Sequence, residues 1–535
     1  MSGPWRRLVA ATLMMGALCW GAGGLQAAEP KRGGVLHLYH RDSPGSPSIL
    51  EESSNSVTMP FMALFNNLVL YDQNEPRNSI ETIRPELATS WGWNADNTAL
   101  TFKLREGVKW HDGKPFTSAD VKCTWDLYMG RAPTPLRSNL RGGWYHNLKD
   151  VVPNGDFEVT FVLKRPQPAL IALLASGYSV IYPCHVPARE MRTKPIGTGP
   201  FKLVEFKQNE SIKLARNPDY WKPGLPYLDA IEYTIVTNRS TALLAFSTGR
   251  FDMTFPNEVT IPLLKDLKTQ TPQAICKLVP NNCAVNVLVN RERAPFDNPE
   301  IRRALALTLD RKAFIDILTE GQGVVGGAMQ PPPEGVWGLP AEMLADLPGY
   351  GGDVEANRAE GRKIMEKYGY GPNNRLKMKV SHRNIPTHRD PGIILADQLK
   401  HIYIDAELDP TDTASWFPKI ARKDYAVGPN ITCGAVDDPD QNFYENYACK
   451  SARNFTQYCN PALEPLFDKQ SQELDLEARK RLVWEIDRKL QQDMARPILY
   501  HYSAATCWQP ALHGYTPMVN SVYNNPRFDA VWLDR

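Results

Sequence analysis

Apolar and polar residues alternate along TALTFKLR (98–105) and FEVTFVLK (157–164). That period-two pattern predicts half-buried strands. VLHLYH (35–40), IKLAR (212–216) and LDAIEYTIV (228–236) read as further strands. Between the last two, NPDYWKPGLPYLD is a proline-rich aromatic loop. The period changes near residue 298. Asn298 can cap a helix, Pro299 suits its first turn, and Gly321 follows its end. Ile301, Ala304, Leu305, Leu309 and Phe314 form one apolar face between them. A second strong helix is predicted from about Asp475 to Met494, with Leu482, Val483, Ile486 and Leu490 on its buried side. Both helices read as core scaffold. No internal repeat or long flexible linker interrupts the mixture of strands and helices.

A length of 535 residues exceeds one compact core and predicts two or three domains. The composition, 42% hydrophobic and 22% charged, excludes both a disordered chain and a membrane bundle. A formal net charge of +2 provides no broad field for nucleic acid. At the N-terminus, Arg6 and Arg7 precede an apolar run from Leu8 to Trp20 and small residues ending at Ala27 and Ala28. This is the layout of a cleaved secretory signal peptide, expected over residues 1–28. Leu18 before Cys19 disfavours lipid attachment, so a free periplasmic product is expected. The remaining cysteines are Cys123, Cys184, Cys276, Cys283, Cys433, Cys449, Cys459 and Cys507. An even count in an oxidising compartment reads as structural disulfides, whose connectivity spacing alone leaves open.

Catalytic signatures are absent: there is no G-x-S-x-G, H-E-x-x-H or G-x-x-x-x-G-K-[ST]. Gly321, Gly323 and Gly326 spell G-x-G-x-x-G, but a helix precedes them and QPPPEG follows, the reverse of a dinucleotide loop. His111 and Asp112 sit in GVKWHDGKPFTSADV. A strand-like FKLREGVKW leads into Asp112-Gly113, a strong turn signal. Thr117 or Ser118 then caps a helix carrying Val121, Trp125 and Tyr128. The stretch therefore reads as strand, turn and capped helix, not as an acid–base pair.

That same stretch resembles the signature of family 5 extracytoplasmic solute-binding proteins, the receptors of dipeptide, oligopeptide, nickel and related ABC importers. GTGPFKLVEF (197–206), NPDYW (217–221), FSTGRFDMTF, FDNPEIRRALALTLDR and HGYTP have counterparts in the same order. The resemblance covers essentially the whole mature chain. It implies a two-lobed periplasmic-binding-protein fold (type II, cluster C) of three α/β domains that close on ligand by a hinge. On that template domain I comprises residues 29–75, 196–282 and 505–535, domain II 76–195, and domain III 283–504. It implies a cleft lined by Ser53, Asn55, Phe255, Asn257, Asn286, Trp416, Arg422, Ala435 and His501. It also implies a Cys283–Cys433 disulfide, with Cys449 and Cys459 close enough in sequence to bridge a local loop. Peptide receptors of the family carry an aspartate for the peptide α-amine two residues after a cysteine. After Cys433 that position is Ala435, while Asp437 and Asp438 fall on another part of the motif. An arginine used for carboxylates is replaced by Pro429. The expected function is a periplasmic receptor that delivers a peptide-like, opine-like or oligosaccharide ligand to permease and ATPase subunits. It is expected to act as a monomer, without cofactor or catalysis. The alternatives are a secreted hydrolase without a recognised motif and a metal-complex receptor. The scattered His37, His40, His111, His146 and His382 disfavour direct metal ligation.

Overall fold

The computed structural model describes residues 29–535. The expected signal peptide lies outside the described residues. Three principal sheets organise the chain. The first orders strands Val35–His40, Ala230–Ile235, Ser211–Arg216 and Phe201–Lys207, with the outer pair 35–40/230–235 parallel. The second is antiparallel: Ala88–Trp93, Ala99–Leu104, Glu158–Leu163 and Leu148–Pro153. Its alternating strands face a common core through Leu100, Phe102, Val159 and Phe161. The third is five-stranded, in the order Ile404–Thr411, Leu376–Arg383, Val427–Cys433, Ile275–Val289 and Ile498–Trp508.

One continuous hydrophobic cluster unites the first two sheets into one lobe. Separate clusters around Val287 and Leu305, and around Phe443 and Ile486, build the other. The long antiparallel strands 275–289 and 498–508 run from one lobe to the other. Their outer ends pair Ile275 with Trp508, and their inner ends pair Asn286 with Ile498. Between Pro280 and Ala284 the register breaks. This irregularity lies where the strands cross between lobes, which makes it a site for flexing.

The helix expected from Asn298 to Gly321 is two helices, Pro299–Thr308 and Arg311–Thr319. Asn298 caps the first through Glu300 N, as expected. Asp310 interrupts the pattern because its side chain accepts from Ala313 N and caps a second start. The helix Leu476–Gln492 forms as expected, with Asp475 as its cap.

The signature segments prove to be framework. His111 Nδ1 accepts from Gly197 N (3.2 Å) and Nε2 lies 3.1 Å from the Gly199 carbonyl, locking the His111 turn onto GTGPF. Gly113 has φ +88°, as the turn requires. A Cβ on Gly197 would lie 1.8 Å from the Leu64 carbonyl oxygen, so only glycine fits there. Asn217 Nδ2 donates to Gly199 O and Trp221 Nε1 to Asn66 Oδ1. All eight cysteines considered above pair: Cys123–Cys184, Cys276–Cys507, Cys283–Cys433 and Cys449–Cys459. Among the described residues no helix is long and apolar enough to cross a membrane.

Candidate ligand-binding site

A cavity lies between the lobes, beside the register break. It offers about 60 Å³ to water centres. The first lobe supplies Arg41, Ser53, Ser54, Asn55, Pro256 and Asn257, together with Val522 and Tyr523 near the C-terminus. The other supplies Arg383, Thr387, His388, Phe417, Asn430, Ile431, Cys433 and Arg453. Asn281, Cys283 and Tyr502 come from the two crossing strands. The Cys283–Cys433 disulfide therefore forms part of the wall as well as joining neighbouring strands.

Three arginines line this space and no aspartate or glutamate does. Arg383 is neutralised from behind: Asp42 accepts from it and from Thr413, while Arg383 Nη2 donates to Ser56 Oγ at 2.7 Å. These contacts join the N-terminal segment of one lobe to the 376–383 strand of the other. Burial alone would raise the Asp42 carboxyl, but Arg383 and Arg41 outweigh it and hold it well below the usual range. Arg453 is paired with Glu445, itself buried under Trp144 Nε1 (2.7 Å). Arg41 differs. Its guanidinium lies over the Phe255 ring at 4.4 Å. Its Nε is buried without a hydrogen-bond partner in the protein, and the nearest carboxylate, Asp42, is 3.9 Å away and already engaged. Burial pushes the His388 imidazole well below its ordinary value, with Arg383 and Arg41 adding to the effect, so it faces the site neutral. Ser53 Oγ, Asn257 Oδ1 and both side-chain polar atoms of Asn281 are likewise buried without protein partners. An unsatisfied buried polar group costs about 1–3 kcal/mol. The site thus concentrates one cation with spare donors and several uncommitted amide and hydroxyl groups.

Of the residues expected in the cleft, Ser53, Asn55 and Asn257 line it. Asn55 opens the helix Asn55–Phe61, and its Oδ1 accepts from Asn525 Nδ2 at 2.5 Å. Asn257 has φ +56°, a left-handed turn that asparagine tolerates. The other six do not line it. Phe255 is buried against His40 at 5.0 Å and acts as the platform under Arg41. Asn286 sits within the sheet, its Nδ2 donating to Thr432 Oγ1 (2.9 Å) behind Asn430. Trp416 is fully buried among Leu288, Ile420 and Tyr425, and the next residue, Phe417, meets the cavity. Arg422 is exposed at the end of the helix Thr413–Ala421. His501 points to the opposite side of its strand, where Nε2 lies 3.0 Å from the Gly327 carbonyl, and Tyr502 meets the cavity instead. Successive residues of the strand 498–508 face opposite ways, so the offset from His501 to Tyr502 exchanges core for wall.

Ala435 is also outside. It is fully buried in the first lobe's hydrophobic cluster, its N–H donating to Gln441 Oε1 (2.8 Å) and its carbonyl accepting from Ser521 Oγ (2.7 Å). Neither neighbouring aspartate substitutes for a cleft carboxylate. Asp438 is bound bidentately by Arg479 at 2.8 and 2.7 Å, and Asp437 accepts from Asn520 Nδ2 at 3.1 Å. The arginines were missed because their signal is long-range. Arg41 and Arg383 are separated by hundreds of residues and meet only through the lobes' approach.

A cavity between two lobes joined by crossing strands is the architecture expected of a solute-binding protein. Residues 82–454 match the family described as bacterial extracellular solute-binding proteins, family 5 middle, and the chain belongs to that family. It is a receptor, not an enzyme, which removes the secreted-hydrolase alternative. It is 25% identical over 459 residues to the periplasmic oligopeptide-binding protein OppA of Salmonella typhimurium, covering 81% of each chain. Over 393 residues it is 27% identical to the glutathione-binding protein GsiB of Escherichia coli, covering 72% of this chain and 69% of that one. Its fold matches that of Haemophilus influenzae OppA, solved with the peptide RPPGFSPFR, at a TM-score of 0.85 with 19% identity, covering 95% of this chain and all of the other. Among the described residues no group of three or more His, Cys, Asp or Glu side chains is placed to hold a metal ion.

Proposed function

We propose that this receptor works in the periplasm as a monomer and hands a carboxylate-bearing solute to the permease and ATPase subunits of an ABC importer. The ligand is neutral, or blocked, where a free peptide carries its ammonium group. The relatives named for oligopeptides and glutathione support a peptide-like frame. The observation that carries the reading is Arg41: a partly buried guanidinium without a hydrogen-bonded carboxylate, in a wall that contains no acid. An ammonium placed there would lose water beside three arginines, with Asp42 engaged by Arg383 and Glu258 buried outside the wall, at a cost of several kcal/mol. A carboxylate gains charge-assisted hydrogen bonds instead. Ser53, Asn55 and Asn257 serve the ligand's amides or hydroxyls in this reading. The three-domain division at 75/76, 195/196, 282/283 and 504/505 goes with it, with the hinge in the crossing strands.

Titration calorimetry of free di- and tripeptides beside their N-acetylated counterparts tests the proposal. The acetylated acids should bind and the free peptides should not. Arg41→Gln should weaken the acids 10- to 150-fold, equivalent to about 1.5–3 kcal/mol for hydrogen bonds to a charged group. Micromolar binding of free dipeptides by the wild type would overturn it.

A further inference from the structure

A second cavity adjoins the first. It offers about 210 Å³ to water centres, against about 60 Å³ in the arginine-walled one. Thr387, Ile431 and Tyr502 belong to the walls of both, so they form a partition within one inter-lobe space. The lining changes character across it. The first lobe contributes Ile261 and Leu263, and the other contributes Ile317, Leu318 and Pro391. The charged groups on this side, Arg239 and Asp390, face each other at 3.6 Å, and Asp390 is also held by Arg389 at 2.8 Å. Ile317, at the edge of this compartment, is 62% exposed and open to whatever enters it. Because both lobes supply walls, this compartment changes shape when the lobes close, as a ligand subsite does and a packing defect within one lobe does not.

We infer that the ligand is an amphipathic acid. Resting on the carboxylate reading above, its acidic end lies against Arg41, and an aliphatic or aromatic substituent passes Tyr502 into the apolar compartment. That substituent caps the position where a peptide would carry its amine. The same feature therefore fills the apolar space and removes the charge that the cleft has no acid to receive.

The test is calorimetry with acetyl-, butanoyl-, hexanoyl- and octanoylglycine. Affinity should rise about fourfold per added methylene, the factor corresponding to its transfer from water, until the compartment is filled. Ile317→Glu, at an exposed position that leaves the fold intact, should flatten this rise without changing acetylglycine binding. Leu263→Gln should do the same from the opposite lobe. If acetylglycine binds and chain length has no effect in the wild type, the inference is overturned and the carboxylate reading stands. An equal rise in wild type and both variants would place the chain elsewhere and also overturn it. No binding by any member of the series would overturn both.

Discussion

Acidification from about pH 7.5 to pH 4 should destabilise the protein in part through His501. The side chain is 3% exposed, and Nε2 lies 3.0 Å from the Gly327 carbonyl. Burial lowers its pKa from 6.5 to about 4, against the smaller raising effects of backbone contacts to Gly327 and Cys283. The unfolded chain therefore takes up a proton near pH 6.5 that the folded chain refuses until about pH 4. The stability associated with this group is complete above pH 6.5 and is lost as pH falls through that window. A shift of this size corresponds to about 3 kcal/mol. His501→Gln retains a donor for Gly327 but cannot titrate. Denaturant unfolding of both proteins at several pH values isolates the single group, because every other titration is shared. The variant's deficit at neutral pH should shrink by about 3 kcal/mol by pH 4, and invert if it began smaller. Parallel stability curves would refute the buried, neutral placement of His501. Ligand affinity should be the same in both, since the imidazole faces away from the cleft.

Trp416→Ala should cost about 3–5 kcal/mol of stability by cavity formation, whereas Phe417→Ala should weaken ligand binding with a smaller cost, measured by unfolding and calorimetry on each variant. Replacing Cys449 and Cys459 together by alanine should cost about 2–3 kcal/mol in the chain-entropy estimate for their short loop, read from denaturation midpoints. Saturation with an acylated acid at about a hundredfold excess over Kd should stabilise the protein by about 2.7 kcal/mol and shrink its scattering radius; a ligand that leaves both unchanged would argue against lobe closure. N-terminal sequencing of the exported protein should begin within a few residues of Ala28, and a start at a modified Cys19 would contradict soluble export.

Local pattern carried much of the fold. Alternation placed the strands 99–104 and 158–163, the Asn298 cap placed one helix start, and apolar spacing placed the helix that begins after Asp475. It failed at Asp310, where a side-chain cap divides a periodic apolar face into two helices. The cleft was legible only in part. Ser53, Asn55 and Asn257 line the cavity between the lobes, whereas Trp416 and His501 each lie one residue away from a lining position. On the strand carrying His501 that offset reverses the side chain, and on the helix carrying Trp416 it turns the side chain by about 100°; no local pattern distinguishes a buried core face from a buried cleft face. Arg41 and Arg383 carried no periodic signal at all. Their roles depend on Asp42 engaging one and leaving the other unengaged, a tertiary arrangement that neither segment encodes alone. The lost aspartate at Ala435 suggested a cleft without an ammonium partner. Position 435 lies in the core, so its identity does not bear on the cleft; the lack of an acid in the cavity wall is a separate observation.

The most direct measurement is native mass spectrometry of the wild type and Arg41→Gln, each purified from its own periplasm, with fragmentation of whatever is released. The wild type should carry one small molecule per chain, a carboxylic acid with its amino position neutral or capped, and Arg41→Gln should have lost it. Recovery of an unmodified di- or tripeptide from the wild type, retained equally by Arg41→Gln, would contradict carboxylate capture by Arg41.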